Sequence, residues 1–255
     1  MLRLIFPFLV IVALAQEPTP VITAAGVVNA ATFSAGLTPG GLATVFGSGL
    51  TFKVNGIILA AGFPMPANLQ GTMLMVNSVP APLTSIANIN GTEQINFQAP
   101  FELAGSSAAM LQVRNGQKLS EPVTVSVAAF QPGIFTSDGR RSIAVHGAGN
   151  ALVTSGNPAL RGEIIVIYAT GLGPVNPPVG TGVAASPQHF TFVSNDVMAF
   201  FGGQPATPLF AGLTPGFAGL YQVNVRVPDA TPSGDVNLSL EVAGVTSPSV
   251  LLAVK

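Results

Sequence analysis

The feature that most constrains this chain is an internal duplication, because it fixes a two-unit architecture before any element is assigned. Gly40-Gly41-Leu42-Ala43-Thr44-Val45-Phe46-Gly47-Ser48-Gly49-Leu50 recurs as Gly162-Glu163-Ile164-Ile165-Val166-Ile167-Tyr168-Ala169-Thr170-Gly171-Leu172, an offset of 122. Val79-Pro80-Ala81 recurs as Gln204-Pro205-Ala206 at 125, and Gln94 to Pro100 recurs as Gln222 to Pro228 at 128. Order is kept while the offset drifts, as expected of a duplication with loop insertions. Ala35 to Gly40 and Ala211 to Gly216 are both AGLTPG at an offset of 176, which breaks the series. That match reads as a shared Pro-Gly turn rather than equivalent positions.

Each copy reads as strands. Val236, Leu238, Leu240 and Val242 alternate with Asn237, Ser239 and Glu241, the period of a half-buried strand. Ile95, Phe97 and Ala99 face away from Gln94, Asn96 and Gln98, and Val223, Val225 and Val227 repeat this against Gln222, Asn224 and Arg226. The polar sets read as the solvent face of a sheet. Ile164 to Tyr168 is continuously apolar and is expected to be buried on both faces. Asn115-Gly116 and Ala243-Gly244 mark reversals, the first expected to be longer than a two-residue hairpin. With 29 Gly and 22 Pro there is little room for helices. Short strands with frequent turns predict two tandem immunoglobulin-like β-sandwiches, at 23–128 and 129–255, after a short segment 16–22. The apolar link Ala129-Phe130-Gln131-Pro132-Gly133-Ile134-Phe135 is expected to pack and fix one unit against the other.

Residues 1–15 read as an export signal: Arg3, the apolar run Leu4 to Leu14, then Ala13-Leu14-Ala15 before cleavage at Gln16. That run is too short to span a bilayer, which takes about 20 residues, and no later stretch is long and apolar enough. The mature chain is therefore expected in the periplasm, at the cell surface or outside the cell. Without cysteine there is no lipid anchor, disulfide, thiolate metal site or thiol nucleophile. Loss of Arg3 leaves 8 basic against 10 acidic groups, a net charge of −2. No basic stripe exists to displace counterions from phosphates, so nucleic acid is not expected as a partner.

Chemistry is sparse. His146 and His189 lie in Gly/Pro/Ser-rich sequence without a ligand at metal spacing, and read as solvated loop residues. Gly47-Ser48-Gly49 lacks the spacing of a serine nucleophile turn, and Gly147-Ala148-Gly149 lacks a dinucleotide fingerprint. The ten carboxylates form no calcium loop. No catalytic, cofactor-binding or metal residue is assigned, and no partner-binding residue is identified. No Trp is present, Tyr168 and Tyr221 fall inside strands, and the 16 Phe read as core. The loop Gly173 to Pro187, rich in Pro and Gly, is expected to be exposed and irregular, and is the first candidate for loop-borne binding.

Gly26-Val27-Val28-Asn29-Ala30-Ala31, the Gly40 to Leu50 segment, Pro132-Gly133-Ile134-Phe135, Tyr168 to Gly173 and Gly219-Leu220-Tyr221-Gln222-Val223-Asn224 resemble the Solibacter-type uncharacterised C-terminal domain family. The resemblance runs through nearly all of the chain after the signal. It implies an exported protein, often with this unit ending a larger surface chain, and brings no activity or catalytic residues. No large region precedes the unit here, which speaks against an accessory role except in trans. Pro39 to Leu50 also resembles the start of IPT/TIG immunoglobulin-like domains. The expectation is a non-catalytic secreted or cell-surface module binding an extracellular or envelope protein or polymer. A glycan-binding module is the alternative, and a hydrolase with a loop-assembled site the third.

Overall fold

The computed structural model describes residues 17–51 and 53–255. The expected export signal, residues 1–15, and its expected cleavage site before Gln16 lie outside them. The chain is all-β, two tandem immunoglobulin-like sandwiches, with one short 3-10 turn, Phe101–Leu103, among the described residues.

In the first sandwich one sheet runs Val21–Asn29, Leu42–Ser48, Thr92–Gln98, Leu83–Ile89, Gly56–Leu59. The facing sheet runs Val123–Ser126, Ala108–Asn115, Thr72–Val76, Val79–Pro80. In the second sandwich Gly133–Ile134, Ile164–Thr170, Tyr221–Arg226, Phe210–Leu213, Phe192–Val193 and Val175–Asn176 face Gln204–Ala206, Val197–Phe201, Gly234–Val242 and Val245–Thr246. Two separate apolar clusters fill the interiors. Val27, Val45, Leu74, Ile86, Ile95, Phe97 and Leu111 belong to one, and Ile165, Ile167, Phe201, Val223, Val225, Leu238 and Leu240 to the other. Each fully buried aliphatic or aromatic side chain contributes roughly 1.5–3 kcal/mol, so the alternation seen in sequence is what holds the two sheets of each unit together.

The duplication extends to strand register. Thr44, Val45 and Phe46 pair with Asn96, Ile95 and Gln94; Val166, Ile167 and Tyr168 pair with Asn224, Val223 and Gln222. Met75 opposes Pro80 as Phe200 opposes Pro205. The AGLTPG pair is a turn shared by chance of chemistry: Gly41 N donates to Thr38 O and Phe217 N to Thr214 O, but Leu213 is in a strand while Leu37 makes only an isolated bridge.

Two local expectations are corrected. The Asn115-Gly116 reversal is a tight hairpin, since Asn115 pairs directly with Lys118. The strands look further apart in sequence because an irregularity follows, where Ser120 Oγ accepts from Val113 N. The second copy repeats it with Ser247 Oγ and Leu240 N, both at 3.0 Å. Ile164 to Tyr168 is buried on one face only, with Val166 and Tyr168 half-buried and Ile164 44% exposed on the other.

Candidate functional site

Several of the repeated residues, Gly41, Leu42 and Gln98 of the first copy and Thr170 and Gly171 of the second, meet where the two sandwiches join. The link is no free spacer. Gln131 N donates to Gly171 O (3.0 Å), Gln131 O accepts from Asn29 Nδ2 (2.9 Å), and Gln131 Nε2 donates to Ala35 O (3.1 Å). Asn29 Oδ1 takes the N–H groups of Ala31 and Thr32. Beside them Leu42 N, at the start of its strand, donates to the buried Thr170 Oγ1 across the junction at 2.7 Å. Gly171 has φ +73, and a Cβ there would lie 2.1 Å from Gln131 O, so no other residue permits this backbone approach.

A second set of contacts comes from the loop expected to be free. Asn176, Pro177, Pro178, Gly180 and Val183 are exposed, but Val175, Gly182 and Ala185 are buried, and Val175–Asn176 pairs with Phe192–Val193. The loop crosses onto the first sandwich. Gly182 O accepts from Met65 N (2.8 Å), and Gly182 N donates to Gln98 Oε1 (2.7 Å). Gln98 Nε2 in turn donates to Gly40 O (3.1 Å). Thr181 Oγ1 accepts from Phe101 N and donates to Glu102 Oε2. At the loop's start, Tyr221 O–H donates to Gly173 O at 2.5 Å, and burial pushes the phenol's pKa up. Gln98 is therefore not on a solvent face: it is completely buried, although Gln94 and Asn96 stay half-buried beside solvent.

Two clefts flank this contact. One, of about 580 Å³, lies between Pro39, Phe101 and Val127 on one side and Phe130, Pro174 and Val179 on the other, with no charged side chain in its walls. The other, of about 530 Å³, includes Met65, Val79, Pro82, Glu102 and Thr181. Both fall in the usual volume range of ligand sites, about 300–1,000 Å³. The first offers apolar walls and the second a single carboxylate already hydrogen-bonded, so what they can do is bury surface.

His146 is not a solvated loop residue. It ends the strand Ala144–His146, its Nδ1 lies 2.9 Å from Glu163 Oε1, and its Nε2 is 3.3 Å from Asn157 O. The Nδ1···Oε1 approach is short but poorly directed for a hydrogen bond, so it is a pairing of charge when the imidazole is protonated. His189 is exposed, its N–H received by Ser186 Oγ. No group of three His, Asp or Glu able to hold a metal occurs among the described residues. Arg141 forks onto Asp235 at 2.8 and 2.7 Å. That hydrogen bonding, ahead of the guanidinium charge, holds the Asp235 carboxyl below its usual range.

The phenylalanines divide in an unexpected way. Phe97 and Phe201 are core, but Phe190 (53% exposed) and Phe192 stand open at a sheet margin, each packed against Phe210 with centroids 5.9 and 5.2 Å away. Sequence reasoning missed Gln98, Thr170 and Gly182 as junction residues. The one available signal was the break in an otherwise shared ladder, Gln98 against Arg226.

No protein-family model and no curated protein matches the chain. Solved structures do. The Bacteroides ovatus SGBP-B of a mixed-linkage glucan utilization locus, in complex with a heptasaccharide, is 12% identical with a TM-score of 0.31, over 86% of this chain and 42% of that one. SGBP-B from a Bacteroides uniformis xyloglucan utilization locus is 14% identical with a TM-score of 0.29, over 92% and 49%. The titin I9–I11 tandem is 11% identical with a TM-score of 0.24, over 93% and 66%. The chain thus spans less than half the length of either SGBP-B protein. Likeness at this level does not bear on what the chain binds.

Proposed function

We propose that this chain is a non-catalytic exported module that holds an extracellular or envelope partner in the uncharged cleft between its two sandwiches. The observation that carries the reading is the junction itself: polar contacts, buried between Gly182 and Gln98 and part-buried between Leu42 and Thr170, hold the two domains in one relation and thereby build a cleft from both. Preorganised walls spare a ligand the cost of ordering them. The export signal and the resemblance to the Solibacter-type family support the same reading. The cleft is tested with Ser106→Trp, an exposed wall position where a large ring fills the space without entering the core. Residues 16–255 should be retained on envelope preparations of the source cell, and the variant should not. Equal retention of both proteins, or turnover in a panel of hydrolase substrates, would refute the proposal.

A second reading, glycan binding, is favoured by the exposed Phe190 and Phe192. Sugar C–H faces pack on aromatic rings, and the rings here are open to solvent. Affinity electrophoresis in gels containing neutral soluble polysaccharides should then slow the wild type but not Phe190→Ala. Unchanged mobility of the wild type in every gel would discard it.

A further inference from the structure

Natural sheets protect their edges, because an unpaired strand is a template for another chain. In this protein the protection is nearly complete among the described residues. Val79–Pro80 and Gln204–Ala206 carry proline, and Val175–Asn176 is followed by Pro177. Gly133–Ile134 and Val245–Thr246 are two residues long. Val21–Asn29 is broken by a register shift and folded back upon through Ala35. Val123–Ser126 is tied at its end by Leu37, Ala144–His146 is covered by Leu152, and Val250–Val254 is bridged by Arg141 and Ala159.

Gly56–Leu59 is the exception. It ends its sheet, pairs only with Leu83–Ile89, and contains neither proline nor charge. Ala60 N donates inward to Thr84 O. By the alternation of an antiparallel ladder, the backbone groups of Ile57 and Leu59 therefore point outward. The Ile57 and Leu59 side chains are 58% and 72% exposed. The apolar surface continues into a shallow groove of about 280 Å³ that includes Phe63, Met65, Phe217 and Leu220.

We infer that this edge pairs with the same edge of a second copy of the chain, antiparallel about a two-fold axis, with Ile58 opposite Ile58. That register puts Ile57 of each copy opposite Leu59 of the other, so the outward backbone groups of both residues are satisfied reciprocally. The same pairs bring the two exposed side chains together on one face. Charge selects the occupant. No residue between Lys53 and Glu93 is charged, so a charged segment gains nothing here, whereas a second copy meets no like-charge repulsion. A two-fold contact also closes on itself, which stops the edge from propagating.

Sedimentation velocity of residues 16–255 from micromolar to several hundred micromolar tests this, with hydrogen exchange read at the Ile57 and Leu59 amides. The expected result is a concentration-dependent dimer whose formation slows exchange at those two amides. Leu59→Lys and Ile57→Lys, both at exposed positions, should melt like the wild type and dimerise at least tenfold more weakly. A wild type that stays monomeric throughout, or a dimer that both variants leave unchanged, would overturn the inference. So would protection of these amides in a monomer only when an uncharged apolar peptide is added, since the edge would then serve a foreign strand. None of these readouts depends on the cleft, so this inference and the proposed function fail separately.

Discussion

Replacing Gln98 by alanine removes the side chain that bridges Gly182 N and Gly40 O across the junction. Both backbone groups are buried, and the Gly182 N–H has no other partner among the described residues. An orphaned buried donor or acceptor costs about 1–3 kcal/mol, and two of them give roughly 2–6. The lower half of that range, about 2–4 kcal/mol, is expected because the exposed Gly180 and Val183 let the loop shift toward water. With a urea m-value of about 2 kcal/mol/M, the midpoint should fall by about 1–2 M. The duplication supplies an internal control. Arg226 occupies the equivalent ladder position of the second sandwich, but its side chain is 65% exposed, so Arg226→Ala should change stability by no more than about 0.5 kcal/mol. Urea unfolding followed by intrinsic tyrosine fluorescence and far-UV circular dichroism measures both. If Gln98→Ala costs no more than Arg226→Ala, the junction contact does not stabilise the protein and the reasoning fails.

Deleting Asn176 to Ala185 should uncouple the sandwiches and split unfolding into two transitions; a single unshifted transition would show the loop to be dispensable. Val223→Asp places an unpaired charge in a fully buried site and should lower stability by several kcal/mol, while Asn224→Ala, half-buried on the opposite face, should cost about 0–1 kcal/mol; reversed sizes in a denaturant melt would show the faces misassigned. The Asp235 carboxyl, depressed by Arg141, adds stability above the ordinary carboxylate pKa and loses it as pH falls through its own lower value. Carbon-13 NMR should show it titrating higher in Arg141→Ala, and an unchanged titration would mean that the fork is absent in solution.

The strands, their faces and the duplicated register were legible because a buried sheet face imposes a period of two wherever it occurs. The alternations Ile95/Phe97/Ala99 and Val223/Val225/Val227 are such cases, and both are fully buried. Polar positions carry no such rule. Gln98 and Arg226 share one place in the ladder, and only the neighbouring sandwich decides that the first is enclosed. His146 and Glu163 meet because adjacent strands bring them together, not because of their spacing in the chain. The Gly173 to Pro187 loop misled for a similar reason. Its prolines and glycines exclude long ladders, yet a backbone without regular structure can still be buried if its N–H and C=O groups find partners elsewhere, as Gly182 does on Met65 and Gln98. The Ser120 and Ser247 irregularities had a readable mark, a serine followed by proline within two residues, in both copies.

The difference between Gln98 and Arg226 also governs how far stacking of such units can extend. On the first sandwich the docking end carries one carboxylate, Glu102, and it is already hydrogen-bonded to Thr181 of the next unit, while Gly41 lies against Thr170 and Gly171 and Gln98 takes the Gly182 N–H. On the second, the equivalent places hold Gly162, Glu163 and Arg226, with His146 and Asp229 alongside. A further sandwich seated there in the same pose would have to strip water from Arg226 and Asp229, whose side chains are 65% and 81% exposed, and desolvating charges is costly even when they are paired. The charges at this end of the second unit therefore disfavour another sandwich in the pose that the first two adopt.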